Sequence, residues 1–152
     1  MRKNREREEA DKATEYYKRV AAREEAYKNA RTFFNLARNS EKSGNDKLAE
    51  TYYREAEKQM ALAEYDHPHD YALALESLGE SLRRQGRYDE AVPLLTKALS
   101  KRERLQGKEH PDLVDVLISL GQTYTALGRY IDAEPALLKA LSIREKRYGK
   151  TD

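Results

Sequence analysis

The sequence has no cysteine and no tryptophan, and it has only 7 glycines and 4 prolines among 152 residues. The lack of cysteine excludes disulfides, thiolate zinc sites, iron–sulfur clusters and thiol nucleophiles. The shortage of glycine and proline disfavours β-sandwiches and barrels, which need many turns. No apolar run reaches the roughly 20 residues that a membrane-spanning helix needs, and no signal-peptide core follows Met1. We therefore expect no membrane partner.

Neither sign of charge dominates the sequence, although charged residues make up 37% of it. Lysine and arginine number 29 and aspartate and glutamate 27, which leaves a net charge of +2. Proteins that bind nucleic acids or anionic membranes usually carry a clear basic excess. We therefore do not expect nucleic acid as the main partner. The absence of cysteine leaves the cellular compartment open, and we favour the cytoplasm.

The strongest pattern in the sequence is internal repetition, which is the first feature to seek in a chain rich in helix formers. A shift of 42 residues places one stretch on another, and the matching residues are Leu75, Leu78, Gly79, Gly86, Arg87, Tyr88, Ala91, Pro93, Leu95, Lys97, Ala98 and Leu99 with Leu117, Leu120, Gly121, Gly128, Arg129, Tyr130, Ala133, Pro135, Leu137, Lys139, Ala140 and Leu141. A fainter copy precedes them, with Phe33, Leu36, Ala37, Gly44, Ala49, Tyr53 and Ala56 in the equivalent places. The chain therefore contains three copies.

Each copy has the spacing of a helical hairpin. Apolar and small residues recur at i, i+3, i+4 and i+7, which places them on one face of a helix: Leu75, Leu78, Gly79 and Leu82. Gly86 then ends that helix, because glycine tolerates the left-handed conformation of a helix terminus. A second apolar stripe follows at helical spacing. Gly79 and Ala98 are small where two helices must approach to an axial separation of about 8 to 10 Å.

These residues resemble the tetratricopeptide repeat (TPR) family. The Leu-x2-Leu-Gly run, the Gly and Tyr at the turn and the spaced alanines are typical of the family. The 42-residue period, His110-Pro111-Asp112 and the run from Ala140 to Glu145 are similar to kinesin-light-chain repeats. The resemblance implies an all-α, right-handed α-solenoid whose first helices line a concave face that binds proteins or peptides. It divides the chain into a degenerate first repeat at 26–64, a second at 67–107 and a third at 110–150.

The N-terminal segment, residues 1–25, is predicted to be a charged helical arm or cap. The stretch from Arg2 to Lys42 contains neither glycine nor proline, and its acidic and basic residues often lie three or four apart, a spacing that supports an exposed helix. Two arrangements stay open. The arm either continues unbroken into the first helix of the degenerate repeat, or it folds back near Glu24 as a cap.

The arm also has a partial seven-residue repeat, in which Glu24 and Arg31 interrupt the apolar positions. The residues that fit the repeat are Ala10, Ala13, Tyr17, Val20, Tyr27 and Phe34. One interpretation is a dimerising coiled coil. The other is a solvated helix that protects the first repeat, because the ends of solenoids need a polar outer face.

The sequence offers little for catalysis. Asp66-His67-Pro68-His69-Asp70 contains two imidazoles and two carboxylates, which are metal-ligand types. His110-Pro111-Asp112 occupies the equivalent place in the next copy, so we interpret the segment as a lead-in to a helix. No cofactor-binding motif is present, and paired carboxylates in a highly charged chain are typical of solvated helix faces. We therefore expect no enzyme, no cofactor and no metal.

The candidate site is a second stripe on each first helix, next to the packing stripe. By the resemblance, these stripes form the concave wall, and their residues are Arg31, Phe34, Asn35, Arg38 and Lys42, then Leu73, Glu76, Ser77, Glu80 and Arg84, then Asp115, Ile118, Ser119 and Gln122. The first stripe is basic and the second is mixed. They predict an extended peptide that is acidic near one end and has an apolar anchor near Leu73 or Ile118. The alternative is a solvated groove without a ligand.

Two functions follow from these patterns. The first is a non-catalytic adaptor that holds a peptide or an extended partner segment on its concave face. The second is a structural module that forms a homo-oligomer through the arm or the last repeat, and an engineered scaffold is a variant of it. The last helix carries Leu138, Leu141 and Ile143 with no solvating helix after it, so we expect uncovered apolar surface there. The sequence leaves open the partner, the oligomeric state and whether the chain is part of a longer array.

Overall fold

A computed structural model describes residues 1–149, and the last residue of the predicted third repeat, residue 150, lies outside that range. All regular secondary structure in residues 1–149 is α-helical, which confirms the predicted all-α class. The six helices are α1 (Arg2–Lys42), α2 (Asp46–Leu62), α3 (Pro68–Arg84), α4 (Tyr88–Gln106), α5 (Leu113–Ala126) and α6 (Tyr130–Tyr148).

The helices form three consecutive hairpins, α1 with α2, α3 with α4 and α5 with α6, and each hairpin packs on the next. Gly86 shows how a hairpin turns, because its φ of 75° lies in the region that side chains disfavour. The amide of Gly86 donates to the carbonyl of Arg83 (3.0 Å) and that of Arg87 to Leu82 (2.9 Å), which satisfies the end of α3. Asn45 caps α2 by accepting a hydrogen bond from the amide of Leu48.

Close approach of the two helices in a hairpin depends on a glycine. A Cβ atom on Gly79 would lie 2.8 Å from Cγ of Leu95, which is fully buried. Gly121 has the same relation to Leu137 in the next hairpin. The small residues predicted at these positions therefore set how closely the first and second helices pack.

The core is one continuous cluster that runs from α1 to α5, with a second cluster between α5 and α6. Alanines such as Ala30 and Ala49 supply much of the core in the first hairpin, and leucines such as Leu75 and Leu95 supply it in the second. The change from alanine to leucine matches the weaker repeat pattern of the first copy. Because alanines are small, the aromatic ring of Tyr53 fills part of the core next to α1.

Helix α1 resolves the alternative that the sequence left open, because the arm and the first helix of the first hairpin are one helix. Its 41 residues extend about 60 Å. Residues 1–19 are exposed, and the first fully buried side chain is that of Ala26. The arm therefore extends away from the hairpins instead of folding back near Glu24.

The outer face of α6 carries uncovered apolar side chains, as expected for Leu138 and Leu141, which are 55% and 52% exposed. The expectation was wrong for Ile143, which is only 2% exposed. Its side chain lies on the side of α6 that faces α5, where it packs in the same cluster as Leu113 and Leu117.

None of the helices within residues 1–149 is both long enough and apolar enough to cross a membrane.

Candidate functional site

Two pockets lie side by side along the first helices of the hairpins and share Leu73. The acidic pocket has a volume of 360 Å³ and is lined by Glu41, Tyr53, Leu73, Glu76, Ser77, Glu80, Arg84, Asp115, Ile118 and Ser119. The apolar pocket has a volume of 130 Å³ and is lined by Tyr27, Arg31, Phe34, Asn35, Met60, Asp70 and Leu73. We call the two pockets together the concave groove. It spans α1, α3 and α5, one helix from each hairpin.

Glu80 joins two hairpins in the acidic pocket. It accepts hydrogen bonds from Nε of Arg83 (3.0 Å) on its own helix and from Oγ of Ser119 (3.0 Å) on α5. Burial opposes ionisation of Glu80, but the hydrogen bonds from Arg83 and Ser119 outweigh it and hold the pKa of Glu80 below its ordinary value. Glu80 is therefore an anchored, ionised carboxylate.

Glu76 lies deeper and pairs with a residue from a second helix. Nε of Arg102 on α4 donates to Oε2 of Glu76 at 2.9 Å, and the two side chains are only 12% and 18% exposed. Burial raises the pKa of Glu76, the charge and hydrogen bond of Arg102 lower it, and the carboxylates of Asp115 and Glu80 raise it further, so that the pKa lies above its ordinary value. The pKa of Glu76 is raised and that of Glu80 is lowered, because burial dominates at Glu76 and hydrogen bonding dominates at Glu80.

Arg84, a predicted site residue of the mixed second stripe, is paired within the chain. Its guanidinium forms an ion pair with Glu41 near the end of α1. Arg84 therefore fastens α3 to α1, and much of its charge is neutralised within the chain.

The apolar pocket is walled by aromatic and aliphatic side chains, with polar groups in its lining. Phe34 packs edge-to-face on Tyr53 with ring centroids 5.6 Å apart. The guanidinium carbon of Arg31 lies 5.7 Å from the centroid of Tyr27, within the range of a cation–π contact. Arg31 is exposed, so its charge is accessible at this pocket.

Of the fourteen predicted site residues, eleven line the concave groove. They are Arg31, Phe34, Asn35, Leu73, Glu76, Ser77, Glu80, Arg84, Asp115, Ile118 and Ser119. Arg38, Lys42 and Gln122 are exposed and lie outside both pockets. The charge of Arg38 still reaches the groove: burial raises the pKa of Tyr53, and Arg38 partly counters that rise.

Several groove residues were missed by the sequence reasoning. Tyr27 and Asp70 lie one turn before the predicted stripes, so extending each stripe by three or four residues would have found them. Tyr53 and Met60 come from α2, and Arg102 reaches Glu76 from α4. No pattern within the first helices indicates these contributions from the second helices.

The segment from Asp66 to Asp70, which contains metal-ligand residue types, leads into the first turn of α3 and contacts α1. The ring of His67 stacks on Tyr27 at a centroid distance of 3.5 Å, and Nε of Arg23 donates to Asp66 at 2.8 Å. Within residues 1–149 there is no group of three or more histidine, cysteine, aspartate or glutamate side chains that could hold a metal ion. The contacts give this segment a role in fixing the helix that forms one wall of the groove.

Comparisons with known proteins concern the family and the fold of the chain. A family model described as tetratricopeptide repeat matches residues 70–146. The chain is similar to the crystal structure of BtubC (BKLC) from P. vanneervenii, with 28% identity and a TM-score of 0.71 over 81% of this chain. It spans 49% of that protein, about half of its length. No curated protein matches the chain.

A second solved structure, the TPR domain of Arabidopsis FLU, has a TM-score of 0.70 and 19% identity, and the match covers 80% of this chain and 98% of that one. At this level of identity the likeness concerns the fold alone. The two structural matches and the family model agree with the predicted solenoid of helical hairpins.

Proposed function

The chain belongs to the tetratricopeptide repeat family, whose fold is in general that of a protein–protein interaction module, and we propose that it is a non-catalytic adaptor that binds an extended partner segment in the concave groove. The observation that carries this proposal is the shared lining of the two pockets. Leu73 belongs to both, so the two pockets adjoin and together extend across three helices. Adjoining pockets along a row of helices suit a polypeptide strand better than a compact small molecule.

The residues of the groove suit recognition of both backbone and side chains. Asn35, Ser77 and Ser119 offer short polar groups to a peptide backbone, and Leu73 and Ile118 offer apolar contact. Arg31 lines the apolar pocket, and Arg38 and Lys42 continue the exposed basic stripe along α1 to the position next to Glu41. That stripe favours a partner segment with acidic residues on the side that faces α1.

Charge reversal on the basic stripe tests this proposal. Peptides selected from a random library on the intact chain are titrated against Arg38→Glu/Lys42→Glu, and we expect binding to weaken about tenfold, since each reversal removes an attraction and adds a repulsion. Arg104→Glu/Lys108→Glu is the matched control, because both residues are exposed and lie outside the groove. Unchanged affinity in the stripe variant would contradict binding along the side of the groove that α1 forms.

A second candidate function, assembly of a homo-oligomer, is favoured by the outer face of α6. Leu99 on α4 is half-buried because the next hairpin packs against it, whereas its equivalent on α6, Leu141, is exposed. Together with Leu138 it forms an apolar face of the kind that neighbouring repeats bury. We propose that a second copy of the chain covers this face.

Light scattering after size-exclusion chromatography tests the second candidate. We expect the intact chain to show a mass above 17.6 kDa that rises with concentration, and Leu138→Gln/Leu141→Gln to return it to the monomer mass. Leu62→Gln is the control, because Leu62 is an exposed leucine at the end of α2. A monomer at every concentration would refute this candidate and leave the adaptor proposal unaffected.

A further inference from the structure

The acidic pocket points to the chemistry of the partner. We infer that the concave groove takes an extended peptide whose basic side chain, preferably arginine, enters the acidic pocket while an apolar side chain three to five positions away enters the apolar pocket. This inference rests on the proposed peptide-binding function and adds a specificity that the basic stripe on α1 does not supply.

The first argument is the balance of charge in the acidic pocket. Among the described residues that line the acidic pocket, four are carboxylates and one, Arg84, is a guanidinium. Two further guanidiniums, those of Arg83 and Arg102, pair with pocket carboxylates but are not part of the lining. With these ion pairs counted, the four carboxylates exceed the three guanidiniums by one negative charge, and Asp115 is the pocket carboxylate that forms no ion pair among the described residues.

The second argument is the position of Asp115. No described side chain forms an ion pair or a hydrogen bond with its carboxylate, which is exposed in the first turn of α5. The charge of Asp115 acts on Glu76 in the same pocket. Burial is the main cause of the raised pKa of Glu76, and the charges of Asp115 and Glu80 raise it further. A cation placed between these groups would relieve that repulsion.

The third argument is the apolar pocket beside the acidic one. On α3, the middle of the apolar pocket lies near Asp70 to Leu73 and that of the acidic pocket near Ser77 to Glu80, which is about 10 Å along the helix. Asp115 lies to the side of this line, on the neighbouring helix α5, whose axis is about 8 to 10 Å from that of α3. An extended chain advances about 3.3 Å per residue, so the two anchors lie roughly three to five residues apart.

Arginine fits the acidic pocket better than a metal ion or a lysine. The described residues provide no set of metal ligands, and the pocket volume of 360 Å³ is far larger than a bound ion requires. Carboxylates on α3 and α5 approach from different helices, and the planar fork of a guanidinium can donate to more than one of them at once. The apolar pocket holds the neighbouring anchor and excludes water beside the charge.

Selection from a random peptide library on the intact chain is the first test. We expect enriched peptides to place an arginine or lysine three to five residues from a large apolar residue. Enriched peptides that lose affinity in Arg38→Glu/Lys42→Glu but contain no basic residue would overturn this inference and keep the proposed function. Failure to enrich any peptide that depends on groove residues would count against the proposed function itself.

A double-mutant cycle between Asp115 and the basic residue of a selected peptide is the second test. We expect Asp115→Asn to weaken binding of the arginine peptide about fivefold, which is the upper range for an accessible charge pair. Binding of the alanine-substituted peptide should stay unchanged. Asp89→Asn, which changes an exposed aspartate in the first turn of α4 outside the groove, should alter neither affinity. The fivefold effect should shrink as salt is raised.

The outcomes of the cycle are separable. Equal losses for the arginine and alanine peptides in Asp115→Asn would show that the aspartate does not recognise the basic side chain, and this would overturn the inference. Thermal melting of the variant checks its fold, and replacing the peptide arginine by glutamate tests the same contact without altering the protein. A glutamate peptide that binds as tightly as the arginine peptide would refute an acidic subsite.

Discussion

Replacing Gly79 and Gly121 separately by alanine tests what controls the approach of the helices within a hairpin. The two glycines are equivalent in the repeat, and a Cβ atom at either would collide with a leucine of the following helix. The leucines differ in freedom, because Leu95 is fully buried whereas Leu137 is 39% exposed. Leu137 can rotate towards solvent, but Leu95 can move only if α3 and α4 separate.

The free energies follow from two opposing effects. Alanine is favoured over glycine inside a helix by about 1 kcal/mol, a gain common to both variants. Overpacking a filled core costs about 1 to 3 kcal/mol, and only Gly79→Ala bears that cost in full. We expect Gly79→Ala to lower the free energy of unfolding by up to about 2 kcal/mol and Gly121→Ala to change it by less than about 0.5 kcal/mol.

Urea unfolding followed by circular dichroism at 222 nm measures both variants against the unchanged chain, with the slope compared to check that the cooperative unit stays the same. Equal destabilisation, or a greater loss in Gly121→Ala, would refute the reasoning. Either result would mean that the spacing of the helix backbones, and not the freedom of the facing leucine, sets the cost.

Two further predictions concern an ion pair and the arm. Glu50, whose side chain is 9% exposed, accepts hydrogen bonds from Arg54 and from Arg87 of the next hairpin; burial opposes its ionisation, but these bonds lower its pKa. Because its folded pKa lies below the unfolded value of about 4.3, its contribution is present above that pH and is lost as the pH falls through the folded pKa. Glu50→Gln should therefore cost about 1 to 2 kcal/mol at pH 7 and progressively less as the pH falls below about 4.3, and a deficit that stays constant in urea titrations through this range would contradict this. Deleting residues 2–19 should shift the melting temperature by less than about 2 °C, because these residues are exposed; a larger fall in calorimetry would show that the arm stabilises the hairpins.

The sequence by itself determined the repeating unit and most of the groove residues. Helical spacing and the 42-residue shift are local properties of the chain, so they identify which face of each first helix packs and which lies beside it. The stripe that begins at Leu73 therefore predicted residues that line both pockets. The glycine at 79 was likewise predictable, because a small residue in a leucine stripe indicates a close helix approach.

Only the tertiary structure decided the electrostatic character of the groove. The spacing of α3 shows Glu76 and Arg84 on one face, but it does not show that Arg102 approaches from α4 or that Glu41 neutralises Arg84 from α1. The same holds for the arm, since its local helix preferences are identical whether it runs straight or folds back. A charge pair between different helices depends on how they stack, and the period of a single helix carries no information about which groups its neighbours bring to the same pocket.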